Sequence, residues 1–112
     1  MTGAAQTIII PVSDLDKAKS VYAALLGVAP VVDEPYYVQY EVDGQKVGLD
    51  PNGHKKGMNA PVPYWTVPDV AAAIAGLVEA GAEVLQDATD VGGGMLVAMV
   101  KDADGNIVGL AQ

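Results

Sequence analysis

The 112-residue chain contains no cysteine, no phenylalanine and no arginine, and it has only one histidine and one tryptophan. Without cysteine it cannot form disulfides, thiolate metal sites or iron–sulfur clusters, and a cysteine nucleophile is excluded. A nucleophilic triad needs a histidine base beside its nucleophile, and His54 is the only histidine available. These absences remove several common classes of enzyme before any motif is considered.

Long hydrophobic runs and basic charge are also scarce. No apolar run approaches the roughly 20 residues of a membrane span, and no basic segment precedes the first apolar stretch as in a signal peptide. Fourteen acidic residues face six lysines, which gives a net charge of −8, whereas nucleic-acid binding needs a basic surface. We therefore expect a cytoplasmic protein with neither a membrane nor a nucleic acid as partner. Acidic charge focused in a cleft would favour a cationic ligand.

One phrase occurs twice in the chain, as DGQKVGLDP at 43–51 and as DGNIVGLAQ at 104–112. The segments before each copy also share one order, which is a β-branched strand, an amphipathic helix and then strands with a two-residue period. We interpret the chain as a tandem repeat of a βαβββ module. The predicted organisation is a single domain over 1–112, with a first module at 5–52, a linker at 53–61 and a second module at 62–112.

Local signals mark the ends of several predicted elements. Ser13 is predicted to cap the first helix and Gly27 to end it, and the second helix is predicted to stop near Gly81. The DEP sequence at 33–35 predicts a turn, and ATDVGGG at 88–94 predicts a loop.

Three segments resemble the vicinal oxygen chelate superfamily, which includes glyoxalase I, extradiol dioxygenases and bleomycin-resistance proteins. They are IIIPVSDLDKAKSVYAALLG, PDVAAAIAGLVEAGAEV and DADGNIVGLAQ. The resemblance implies an α+β fold in which two tandem βαβββ modules form a curved, eight-stranded incomplete barrel around a cleft, the glyoxalase/bleomycin-resistance fold. It also implies a homodimer as the usual assembly.

The resemblance further implies where a divalent ion would be held in metal-bearing members. One ligand comes from the first strand and one from the last strand of each module, and these positions fall on Thr7, Gly48, Val62 and Gly109. None of the four supplies the imidazole or carboxylate that such an ion requires. We therefore expect no metal and no other cofactor. A shifted metal site built from His54, Asp50 and a neighbouring carboxylate stays open as an alternative.

Strand alternation divides the remaining candidate residues between two sides of the predicted sheet. Trp65 is predicted to point toward the helix layer and to belong to the core. The inner glycines of the repeated phrase are expected to enlarge the cleft, because a strand glycine often permits close approach of a ligand. The candidate ligand-binding residues are Thr7, Ile9, Tyr37, Gln39, Glu41, Gly48, Asp50, His54, Tyr64, Thr66 and Gly109.

These observations favour a metal-free protein that binds a small hydrophobic or aromatic molecule by sequestration, such as an antibiotic in the manner of bleomycin-resistance proteins. Amphipathic rings with a few polar groups suit such a ligand. One alternative is a metal-independent lyase or isomerase that uses His54, a cleft carboxylate or a tyrosine as proton carrier. Another is a metabolite-sensing or partner-binding module.

Overall fold

The computed structural model describes residues 3–112, and in that range a strand–helix–three-strand order occurs twice. The elements are β1 (Ala5–Pro11), α1 (Leu15–Leu26), β2 (Val32–Glu34), β3 (Tyr37–Val42), β4 (Gln45–Asp50), β5 (Val62–Thr66), α2 (Val70–Glu79), β6 (Glu83–Asp90), β7 (Leu96–Lys101) and β8 (Ile107–Ala111). A single 3₁₀ turn at His54–Lys56 follows β4. The predicted α+β class and the two βαβββ modules are confirmed.

The chain divides into two compact units, Gln6–Val62 and Pro63–Gln112, the latter together with residues 3–5. The N-terminal segment joins the second unit through a hydrogen bond in which Gly3 N donates to Thr66 O at 2.8 Å. No helix in residues 3–112 combines the length and the hydrophobicity that a membrane span requires.

In the unit Gln6–Val62 the strands lie in the order β2–β3–β4–β1, with β1 parallel to β4 and the other pairs antiparallel. Helix α1 packs on one face of this sheet. Tyr40 anchors it, since its buried hydroxyl donates to Lys19 O at 3.3 Å. The buried core between α1 and the sheet consists of Val12, Val38, Tyr40 and Leu49.

The unit Pro63–Gln112 repeats this arrangement, with strands in the order β5–β8–β7–β6 and β5 parallel to β8. Helix α2 packs on one face of this sheet as α1 does in the other unit. Its buried core consists of Val67, Val70, Ile74, Ala98, Val100 and Leu110.

The helix ends follow the sequence signals with one correction. Asp14, not Ser13, caps α1, because Asp14 has the extended backbone of an N-cap and its side chain accepts from Lys17 N at 3.1 Å. Asp69 caps α2 in the same way, with Ala72 N as the donor. Gly27 ends α1 as predicted, in the left-handed conformation at φ 68°.

Two strands are longer than the turn signals indicate. Strand β2 includes 33–34 of the predicted turn, because a tight connection pairs Glu34 with Tyr37 in an antiparallel ladder. Strand β6 runs on through 88–90 of the predicted loop, where Thr89 pairs with Val97 after two shifts of register. In both places pairing with a neighbouring strand overrides local turn preference.

Candidate functional site

The face of the Gln6–Val62 sheet that turns away from α1 collects most of the predicted ligand residues. Ile9 pairs with Gly48, and Gly48 pairs with Gln39 on its other side. Because side chains two residues apart share a face, the neighbours of these three residues on their own strands lie there too. We call this face the outer face, and the predicted ligand residues on it are Thr7, Ile9, Tyr37, Gln39, Glu41, Gly48 and Asp50.

The ring of Tyr37 lies over Gly48. A Cβ atom added to Gly48 would stand 2.7 Å from Cε1 and Cζ of Tyr37, and closer still to the hydroxyl oxygen. Tyr37 reaches this position from the diagonal cross-strand site, which is within range of an aromatic side chain. Its hydroxyl donates to Gln39 Oε1 at 2.9 Å, and this hydrogen bond holds the tip of the ring beside Gly48.

Asp50 supplies a buried carboxylate at the end of β4, with 4% of the residue exposed. Its Oδ2 lies 2.7 Å from Lys56 Nζ, and its Oδ1 accepts from Asn52 N at 2.8 Å. Burial is the main cause that raises the pKa of Tyr37 to about 12, and the negative charge of Asp50 raises it in the same direction. Tyr37 therefore presents a neutral hydroxyl at physiological pH.

The turn after β4 holds this carboxylate in place. Gly53 N donates to the main-chain oxygen of Asp50 at 3.1 Å. The turn also packs closely on β1, since a Cβ on Gly53 would stand 2.7 Å from Cβ of Pro11. Sequence reasoning missed Gly53 as a site residue, and it placed Lys56 in the linker at 53–61. Nothing in the sequence signals the Lys56–Asp50 pair, because it depends on how the 3₁₀ turn folds back over β4.

His54 lies on the same turn but is exposed, and its main-chain oxygen accepts from Gly57 N. Within residues 3–112 no hydrogen bond or ion pair joins its imidazole to Tyr37, Gln39 or Asp50. The structure thus brings Asp50 to the outer face and leaves His54 apart from it.

The second unit contains the same combination of glycine and tyrosine. Tyr64 pairs directly with Gly109, and a Cβ on Gly109 would stand 2.6 Å from Cγ of the Tyr64 ring. Tyr64 is buried, and Thr66 on the same strand is exposed. The expectation that Gly48 and Gly109 enlarge a cleft is therefore wrong within each unit, because a tyrosine ring fills the space beside each glycine.

The positions that the family resemblance assigns to metal ligands do not fit a divalent ion. Val62 is a buried hydrocarbon, Thr7 offers one hydroxyl, and rings cover Gly48 and Gly109. Nowhere in residues 3–112 do three or more His, Asp or Glu side chains come together as a metal site would require. The shifted alternative is not assembled either, since the Asp50 oxygens are engaged by Lys56 and the turn backbone.

A separate groove of about 310 Å³ lies beside α2 in the second unit. Trp65, Ala73, Gly76 and Leu110 are among its lining residues. Trp65 points toward the helix as predicted, but it is 38% exposed and forms a groove wall instead of a core residue. Three of the helix residues that line the groove, Ala72, Ala73 and Gly76, have small side chains or none, and the ring is incompletely covered.

Comparisons with known proteins identify one matching family model and several solved structures with a similar fold. The family model described as Glyoxalase/Bleomycin resistance protein/Dioxygenase superfamily matches residues 4–110. No curated protein sequence matches the chain at a significant level.

Similar solved structures include an NAD-dependent benzaldehyde dehydrogenase from Legionella pneumophila, at 14% identity, 94% coverage of this chain, 96% of the other and a TM-score of 0.75. A hypothetical protein from Bacillus halodurans is 17% identical, with 98% of this chain and 93% of the other covered and a TM-score of 0.73. A glyoxalase/bleomycin resistance protein/dioxygenase superfamily member from Vibrio splendidus is 18% identical, with 95% of each chain covered and a TM-score of 0.72. At these identities the likeness is one of fold.

Proposed function

Because the chain belongs to the Glyoxalase/Bleomycin resistance protein/Dioxygenase superfamily, we propose that it is a metal-free member that binds a small hydrophobic or aromatic molecule without catalysis. The supporting observation is the Tyr37 ring over Gly48, where metal-bearing members are expected to place a ligating carboxylate. A glutamate at this position would meet the ring before it reached an ion. The same substitution and the same covering ring recur at Gly109 with Tyr64.

The outer face offers what binding needs without offering what metal-assisted catalysis needs. Tyr37 supplies a rigid ring, and Gln39 supplies an amide that fixes orientation. Small-molecule sites usually combine such apolar surface with a few placed polar groups. Sequestration of an antibiotic or a toxic metabolite requires affinity alone, so loss of the ion leaves that function intact.

A thermal-shift screen against antibiotics and aromatic metabolites tests the proposal, because a ligand that binds only the folded state raises the melting temperature. We expect a concentration-dependent rise with particular aromatic compounds, and a smaller rise for Tyr37→Ala with the same compounds. Tyr36→Ala is the matched control, since Tyr36 is exposed and lies outside the outer face. Absence of any shift across the panel would count against a binding function.

Catalysis is tested with the same ligands by following their conversion. For a binder we expect no turnover by the wild type, and an unchanged melting-temperature shift for His54→Ala, because His54 lies apart from Tyr37 and Gln39. Turnover that disappears in His54→Ala would instead support the metal-independent lyase or isomerase.

A further inference from the structure

Tyr37 and Asp50 stand at opposite positions of two neighbouring strands. Val38 pairs with Leu49, so the next position along both strands sets Tyr37 against Asp50. The Tyr37 ring then leans along β4 to cover Gly48, and its hydroxyl meets Gln39. We call these three residues, Tyr37, Gln39 and Asp50, the polar cluster.

The hydrogen-bonding state of the cluster defines which groups it can still accommodate. A tyrosine hydroxyl has one proton to donate and can also accept. Because Tyr37 donates that proton to Gln39 Oε1, its oxygen can engage a ligand only as an acceptor. Asp50 is an acceptor too when ionised, and both of its oxygens already receive donors from the protein. A ligand that meets the Tyr37 hydroxyl therefore has to bring the donor itself.

The charges around the cluster also disfavour an added negative charge. The buried Asp50 carboxylate, which is paired with Lys56, lies on this face, and Glu41 and Lys46 occupy directly opposed cross-strand positions there. The strand register sets this carboxylate opposite Tyr37, and burial together with the charge of Asp50 raises the pKa of Tyr37. The same two effects penalise a ligand oxyanion placed beside the hydroxyl.

We infer that the Tyr37 hydroxyl, held by Gln39 and set opposite Asp50, selects ligand groups that present N–H donors, neutral or cationic, and rejects carboxylate and enolate oxyanions at that position. The inference rests on the proposed binding function and specifies its ligand class. It reverses the electrostatics of a metal-bearing site, in which a divalent cation attracts an oxyanion. Tyr37 is the specificity-determining residue, because its oxygen is the acceptor that meets the ligand.

Three probes of one shape test the inference, namely benzoate, benzamide and benzamidine. Each carries a planar three-atom head on the same ring, and they differ in charge and in the number of N–H donors. Titration of ¹⁵N-labelled protein by NMR gives an affinity for each probe and locates it through the Gly48 amide signal. We expect benzamide to bind at least about tenfold more tightly than benzoate, and benzamidine at least as tightly as benzamide.

Substitutions identify the residues responsible for the preference. Tyr37→Phe keeps the ring and removes the acceptor, so the ratio of benzamide to benzoate affinity should fall. Tyr36→Phe, which removes an exposed hydroxyl next in sequence, should leave that ratio unchanged. Asp50→Asn removes the buried charge and should tighten benzoate binding. In Gln39→Glu the carboxylate can only accept the Tyr37 hydrogen bond. The Tyr37 oxygen therefore stays an acceptor toward the ligand, and the preference for benzamide should persist.

The outcomes separate this inference from the proposed function. Equal or tighter binding of benzoate by the wild type, or a preference for benzamide that is undiminished in Tyr37→Phe, overturns the inference and leaves the binding function intact. The same holds if no probe perturbs Gly48 while another aromatic compound does. If neither the probes nor the screening panel bind the wild type, the proposed function fails as well.

Discussion

At the scale of single residues, the structure explains why the two halves of the chain repeat a glycine inside a strand. Such a glycine normally weakens a strand, because it adds entropy to the unfolded chain and leaves nothing to pack. Here Tyr37 covers Gly48 and Tyr64 covers Gly109, an arrangement in which an aromatic ring compensates for the missing side chain. The tyrosine and the glycine in each unit form one packing element.

Replacement of the glycine by alanine should affect stability differently in the Tyr37–Gly48 pair and in the Tyr64–Gly109 pair. Gly109→Ala would drive Cβ into the base of the buried Tyr64 ring, and we expect it to destabilise the protein by about 1–3 kcal/mol. Gly48→Ala meets only the far end of Tyr37, which can swing away, so the loss should be smaller. Denaturant unfolding measures both.

Gly76→Ala is the matched control for this pair. The control position is in α2 with open space beside it, and the same change there should stabilise by roughly 0.5–1 kcal/mol because alanine is the better helix former. Equal losses at Gly48 and Gly109 would contradict the described ring positions.

The Tyr37 hydroxyl gives a pH-dependent signature. An unfolded chain releases this proton near 10.0, whereas the raised pKa keeps it on the folded chain up to about 12. Stability from this group is therefore complete below 10.0 and is lost as the pH rises toward about 12. In urea unfolding across that interval, Tyr37→Phe should lose less stability than the wild type. An identical loss in both proteins would show that Tyr37 is not buried as described.

Sequence alternation was enough to place Tyr37, Gln39 and Glu41 on one face, because a strand permits only two orientations. It could not show that the Tyr37 ring lies over Gly48, since that depends on a rotamer and on a diagonal neighbour in another strand. The Lys56–Asp50 pair was equally inaccessible, because it joins a strand end to a turn of unpredictable path.

At the scale of elements, both helices begin with an aspartate cap at the same place in their module. Asp14 and Asp69 have extended backbones and accept from the main-chain N–H three residues on. The prediction of Ser13 as the cap of α1 chose the wrong one of two adjacent capping residues. Both types cap well, so backbone geometry decides between them.

Alanine substitutions test that assignment directly. Asp14→Ala removes the acceptor for Lys17 N and should cost about 0.5–2 kcal/mol of stability. Ser13→Ala, one residue earlier, should change the free energy of unfolding by less than about 0.5 kcal/mol, as surface substitutions usually do. Both are measured by denaturant unfolding, and a larger loss at Ser13 than at Asp14 would reverse the assignment.

Strand boundaries were the least predictable elements. Proline and acidic residues at 33–35 indicate a turn, yet two of them extend β2 because β3 offers a partner ladder. Segment 88–90 joins β6 for the same reason, opposite β7. The alternation of apolar and polar residues that predicts a strand is visible in the segment itself, whereas the length of the strand depends on the neighbouring strand with which it pairs.

At the scale of the whole molecule, the repeated sequence phrase reports a repeated topology. Both units place the first strand parallel to the last one, so the inner glycine of the phrase occupies the same position in each. Membership of the superfamily follows from the match over 4–110, and the homodimer and the cytoplasmic location stay predictions. The acidic balance of the chain agrees with a ligand that brings N–H donors to the outer face.

In each unit a tyrosine ring covers the glycine to which the family resemblance assigns a metal ligand, and we propose that these rings exclude the ion. Titration of the metal-stripped protein with Ni²⁺, Zn²⁺ and Mn²⁺, followed through the Gly48 and Gly109 amide signals by NMR, tests it most directly. We predict no saturable binding of one ion per chain and no specific change at either glycine. Stoichiometric binding that shifts both glycine signals would contradict the account.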